Sequence, residues 1–157
     1  ARLPGRVLGV VAVDTLHELD AVQNPAQWKA RLDALRQDFA GTCPAMVKAL
    51  FREDAEPALV SEVTDLMCAF PAELAAPVLE GFTGYDLAAA VRASGVPLRA
   101  INGDHYPTDV EGNRAVEPTF DVVVMAGVGH YPMLERPDEF NRDLTALVEH
   151  LVADEAP

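Results

Sequence analysis

Basic side chains are scarce. Twelve Lys and Arg stand against 25 Asp and Glu in 157 residues, a formal net charge of −13. Such a balance excludes nucleic acid and anionic membrane surfaces as partners and reads mainly as a solubility device. Cysteine occurs twice, at Cys43 and Cys68. Two are too few for a disulfide framework, and both lie in helical, apolar surroundings, so reduced core thiols are expected. No apolar run approaches the roughly 18 residues that span a bilayer, and the first residues do not read as a secretory signal. A cytoplasmic location is the expectation. His-Glu-x-x-His and Cys-x-x-Cys spacings are missing, as is a glycine-rich phosphate loop. Asp14, His17, Glu18 and Asp20, or Asp104 and His105, carry ligand chemistry for a divalent metal, but without metal-site spacing. Neither a metal nor a cofactor is expected.

Half of the residues are hydrophobic, and the length suits one domain with a substantial core. Three stretches read as strands. Val7–Val13 is a continuous, valine-rich apolar run of the kind buried on both faces of a parallel sheet. It stops at Asp14-Thr15-Leu16-His17, and sites are built at the carboxyl edge of open α/β sheets. Leu98–Ile101 is the second strand and breaks at Asn102-Gly103-Asp104. Phe120–Met125 is the third, rich in β-branched residues.

Between the first two strands the pattern turns helical, from Pro25 to about Ala93. Trp28, Leu32, Leu35 and Phe39 recur at spacings of three and four, with Asn24 as N-cap, Pro25 at the first helical position and Gly41 as the end. Further helices are expected over Pro44–Phe51, Pro57–Ala69 (Leu59, Val63, Leu66 and Met67 inward), Pro71–Phe82 and Tyr85–Ala93. A short helix over Glu111–Ala115 and a long one from Pro137 to about Val152 follow. The last presents Phe140, Leu144, Leu147, Val148 and Leu151, and its first turn holds Asp138 and Glu139, where acidic groups suit the dipole. One crossover helix needs far fewer residues than this first insert, so the surplus suggests a lid.

The third strand runs into Gly127-Val128-Gly129-His130. A histidine on a short loop between a buried strand and a helix is well placed for a general base. His17, His105 and His150 compete less well.

Gly129-His130-Tyr131-Pro132-Met133-Leu134-Glu135-Arg136-Pro137, with Phe140, resembles the C-terminal signature of the α/β-hydrolase superfamily. The likeness extends upstream over most of the chain. It implies an α/β fold, here a partial α/β-hydrolase: a core at 1–20 and 94–157 of parallel strands with helices, and a helical cap at 21–93. It also implies that His130 is the base of a nucleophile–His–acid triad. Two acids compete. Asp104 follows the strand that most often carries the acid, but the usual pattern is Gly-x-x-Asp and Asp104 directly follows Gly103. Asp14 ends the preceding strand, where some family members place theirs. The failed spacing tilts the choice to Asp14.

The family's nucleophile elbow, Gly-x-Ser-x-Gly between a strand and a helix, has no counterpart. Ser61 lies in a helix and Ser94 in a helix-ending turn. The chain starts at Ala1 close to a strand, so it is expected to be the C-terminal portion of a larger hydrolase, inactive alone. The substrate implied is small, mostly apolar and ester-like, with Trp28, Tyr131 and Met133 as candidate contacts. Other aromatic residues and methionines of the helical insert read as packing. The alternative is an inactive remnant, or a module that binds a ligand or partner without catalysis. Self-association through an exposed sheet edge is a further expectation.

Overall fold

A computed structural model describes residues 6–19 and 24–154. Its elements alternate as β1 (Val10–Val13), α1 (Pro25–Gln37), α2 (Phe39–Lys48), α3 (Pro57–Cys68), α4 (Ala72–Glu80), α5 (Leu87–Ser94), β2 (Leu98–Gly103), α6 (Val110–Val116), β3 (Asp121–Met125), α7 (Pro132–Glu135) and α8 (Pro137–Asp154). The chain divides into two compact units, residues 1–20 with 86–157, and residues 21–85.

The first unit holds a parallel sheet in the order β1-β2-β3. Val10 pairs with Leu98 and Val13 with Ile101 across β1 and β2, and Arg99 with Asp121 and Gly103 with Met125 across β2 and β3. Side chains alternate between the two faces of a strand, and each face has its own core. Ala12, Leu98, Ala100 and Val122 pack with Ala88 and Val91 of α5, Val116 of α6, and Phe120. Val11, Val13, Ile101, Val123 and Met125 pack with Phe140, Leu144 and Leu147 of α8. Ala100 and Ile101 are wholly buried, as suits a central strand covered on both sides. Gly95, at φ 64°, ends α5 in the left-handed conformation that glycine adopts without steric cost.

β1 begins at Val10 rather than Val7, and it is not buried on both faces. Val7, Leu8 and Val10 are exposed, because β1 lies at an edge of this sheet and its outer side pairs with no strand among the described residues. α5 belongs to this unit, although its residues were expected in the cap. Its Ala88 and Val91 belong to the sheet's core cluster.

The second unit is helical. Leu32, Leu35 and Ala76 form its centre, with Trp28, Phe39, Met46 and Leu79 packed around them. Gly41 does not end a helix. Asp38 both terminates α1 and caps α2, its Oδ1 accepting from Gly41 N–H at 2.9 Å, so α2 starts five residues before the expected Pro44. A side-chain cap of this kind satisfies an orphan amide and restarts the helix after one extended residue. Leu66 and Met67 face outward, at 75% and 44% exposure, while Val63 and Thr64 are buried. Thr64 is accommodated because its hydroxyl donates to the carbonyl of Val60 at 2.6 Å.

The cysteines are not free thiols. Cys43 of α2 and Cys68 of α3 are joined in a disulfide, 25 residues apart in sequence. Helical, apolar surroundings do not distinguish a buried thiol from half of a bridge, and the packing of α3 against α2 brings the two sulfurs together. The argument from reduced cysteines to a cytoplasmic location therefore falls. No helix among the described residues is long and apolar enough to cross a membrane.

Candidate functional site

The carboxyl ends of β1, β2 and β3 deliver Asp14, Gly103 and the His130 loop to one edge of the sheet. Asp14 is 3% exposed. It adopts φ 42°, and Leu16 φ 58°, a left-handed conformation uncommon outside glycine and costing about 1–3 kcal/mol per residue. That turn swings the Asp14 carboxylate back over the sheet edge. Its Oδ1 accepts from Gly103 N–H at 2.6 Å, and its Oδ2 meets His130 Nδ1 at 2.7 Å.

Burial pulls the Asp14 carboxyl upward. The hydrogen bond from His130, the His17 imidazole 3.6 Å away and the hydrogen bond from Gly103 N–H outweigh it and hold Asp14 well below the usual carboxylate range. The group is therefore an ionised acceptor, which places the His130 proton on Nδ1 and leaves the lone pair on Nε2. The His130 side chain is one-third exposed, so a buried carboxylate orients an accessible imidazole.

The loop bearing His130 is held from three directions. Glu135 of α7 folds back so that its carboxylate accepts from Gly129 N–H at 3.1 and 3.0 Å and from Tyr131 N–H at 3.2 Å. It thereby satisfies the amides on both sides of His130. Gly127, at φ 70°, donates its N–H to Asp104 Oδ2 at 2.9 Å. Gly103 lies beneath, and a β-carbon there would overlap the carbonyl oxygens of Val128 and Gly129. Glycine at 103 thus does two things: its amide fixes Asp14, and its bare α-carbon admits the His130 loop.

The sequence-predicted residues separate accordingly. Asp14 and His130 are brought together. Asp104 is exposed and caps Gly127. Tyr131 sets its ring edge-on to His130, with centroids 5.1 Å apart, and burial pushes its phenol pKa upward, so it stays protonated. Met133 lies on α7 and is 37% exposed. Trp28 lies in the helical unit, packed against its core, its Nε1 donating to Thr83 Oγ1 at 2.9 Å. His105 stacks edge-to-face on Tyr106 at 4.5 Å. His150 lies exposed near the end of α8. Of the metal-rival set, Asp20 lies outside the described residues, and no group of three potential ligands converges among the described ones.

Asn102, Thr108, Asn113 and Glu135 also shape the site, and sequence reasoning passed over them. Asn113, fully buried in α6, accepts from Leu19 N–H at 2.7 Å and donates to the carbonyls of Leu16 at 2.8 Å and His17 at 3.3 Å. It ties down the loop that carries Asp14 and His17. An asparagine inside a helix disfavours that helix, which was the available signal. For Glu135 the signal was an acidic residue three positions beyond the first residue of a short helix, able to turn back onto free amides.

No family model matches the chain, and no curated protein matches its sequence. Solved structures do match its fold. A thermophilic esterase from Thermogutta terrifontis superposes with a TM-score of 0.73 at 19% identity, over 93% of this chain and 57% of the esterase. A hydrolase from Oleispira antarctica gives 0.77 at 9% identity, over 94% and 58%. An enol-lactonase from Burkholderia xenovorans LB400 gives 0.67 at 19%, over 90% and 56%. The chain thus spans less than three-fifths of the length of these structures. With its parallel sheet, flanking helices and partial coverage of the matched proteins, the chain carries part of the α/β-hydrolase fold.

Proposed function

We propose that this chain contributes the base and the acid of a nucleophile–His–acid triad that hydrolyses small, mostly apolar esters. The observation that carries this reading is the contact of Asp14 Oδ2 with His130 Nδ1 at 2.7 Å, with Asp14 itself fastened to Gly103 N–H. The esterase and enol-lactonase among the similar folds support an ester substrate class. The nucleophile comes from sequence outside these 157 residues. His130 Nε2 removes its proton as it attacks the ester carbonyl, then returns that proton to the leaving alkoxide. A water molecule, deprotonated by the same nitrogen, then attacks the acyl carbon; the acyl–nucleophile bond breaks, the proton passes to the nucleophile and the carboxylic acid leaves. Asp14 holds the productive tautomer and stabilises the imidazolium that forms. Tyr131, edge-on to His130, and Met133 of α7 are the candidate substrate contacts.

The test uses short p-nitrophenyl esters. The chain alone is expected to show no turnover above a His130→Ala control. A longer form carrying a strand–elbow–helix upstream is expected to turn over and to lose activity with His130→Ala. Full activity in that variant would overturn the reading, and no turnover in the longer form itself would favour a module that binds without catalysis.

A further inference from the structure

The Asp14 carboxylate faces a second imidazole. His17 Nε2 lies 3.6 Å from Asp14 Oδ2, the same oxygen that meets His130. The far side of His17 is fixed by a polar chain. Asn102 is fully buried, with the carbonyls of Thr15 and Ile101 each 3.2 Å from one end of its amide and Thr108 Oγ1 2.9 Å from the other. Carbonyls only accept, so the amide nitrogen faces them and the oxygen accepts the Thr108 hydroxyl. Having donated its hydrogen, Thr108 Oγ1 accepts from His17 Nδ1, 3.1 Å away.

Each neutral form of His17 leaves a conflict. A proton on Nδ1 alone satisfies Thr108 but sets the Nε2 lone pair against a carboxylate, and Nε2 is buried with no hydrogen-bond partner. A proton on Nε2 alone requires Thr108 to donate to His17, and then the Asn102 oxygen is turned onto two carbonyls. Protonation of both nitrogens satisfies Asn102, Thr108 and Asp14 together. The ring of Tyr106 also stands against His17, edge-on with centroids 6.0 Å apart.

We propose that His17 is a positioning residue for the acid: a doubly protonated imidazole, clamped by Thr108 and Asn102, that fixes the Asp14 carboxylate opposite His130. This rests on the reading of Asp14 and His130 as acid and base. The arrangement places the acid between two imidazoles, one buried and structural, the other accessible and reactive. Asp14 then shares its charge between them, which tempers how strongly it stabilises a proton on His130.

Long-range ¹H–¹⁵N correlation of the imidazole rings tests this in the intact chain near neutral pH. Both His17 nitrogens are expected to report protonation. Thr108→Val, nearly isosteric, is expected to lower the fraction of doubly protonated His17. His17→Phe and Asp14→Asn are each expected to shift the ¹⁵N signals of the His130 ring, because each changes what stands on the far side of the shared contact. A His17 with one unprotonated nitrogen, unaffected by Thr108→Val, overturns the proposal even if Asp14→Asn alters His130 as expected. If Asp14→Asn leaves the His130 ring signals unchanged, the acid–base reading itself fails. Circular dichroism of each variant separates either result from loss of the fold.

Discussion

At the scale of single residues, the choice between two aspartates turns on one turn of backbone. Asp14 leaves β1 at φ 42° and reaches His130, whereas Asp104 is exposed and takes the amide of Gly127. In a nucleophile-bearing form, Asp14→Asn is expected to lower turnover by up to roughly 10⁴-fold, since an amide permits the wrong imidazole tautomer. Asp104→Asn should keep most turnover and change stability by roughly 1 kcal/mol, the typical worth of one capping bond. Activity assays beside urea titrations separate the two, and the reverse pattern would exchange the roles. A pH dependence follows as well. Asp14 has a folded value below its unfolded one near 3.8. Its contribution to stability is therefore complete above that value and drains away as pH falls below it toward the depressed folded value. Urea midpoints measured between pH 5 and about pH 2.5 should fall less steeply for Asp14→Asn than for the wild type.

At the scale of elements, α7 matters through one side chain. Four residues make a poor helix, yet they place Glu135 under the amides of Gly129 and Tyr131. Glu135→Ala leaves those amides without their charged acceptor and should cost about 1.5–3 kcal/mol. Its distinctive sign is a looser His130 loop, measured as faster hydrogen exchange at Gly129 and Tyr131 than in β2. Equal protection in variant and wild type would show that α7 is mere connection. By contrast, Leu66→Lys on α3 should shift stability by no more than about 0.5 kcal/mol, because Leu66 is 75% exposed.

At the scale of the whole molecule, the helical unit depends on a covalent tie between α2 and α3. Reduction, or Cys43→Ser with Cys68→Ser, should destabilise that unit by about 2–4 kcal/mol, read as a lower thermal midpoint in the presence of dithiothreitol. An unchanged midpoint would mean the bridge adds nothing to the stability of that unit. The sheet unit ends at β1, whose exposed Val10 lies on an edge without a strand partner among the described residues. Unpaired edges invite pairing with another chain. Light scattering of the isolated chain is expected to show concentration-dependent association, and a monodisperse monomer would count against it.

Local chemistry alone was enough for the order of strands, most helices and the position of His130 on the loop after the third strand. Valine runs, glycine after a strand and proline at helix starts act within a few residues, so the order of elements was legible without coordinates. The carboxyl edge of the sheet was legible too, because the loops that leave parallel strands all emerge on one side. What needed the tertiary structure was every relation set by distance across the chain. Asp14 and His130 are 116 positions apart, and their contact depends on a left-handed turn at Asp14 that no pattern announces. The Cys43–Cys68 bridge depends on how α3 packs against α2, and that packing covers Val63 and Thr64 while leaving Leu66 and Met67 outside. Gly103 stands in the sequence only as part of a strand-ending Asn-Gly-Asp, and it is the backbone of Val128 and Gly129, lying where its side chain would stand, that requires glycine there. A periodic pattern reports the environment of one segment, and only packing reports which segments share it.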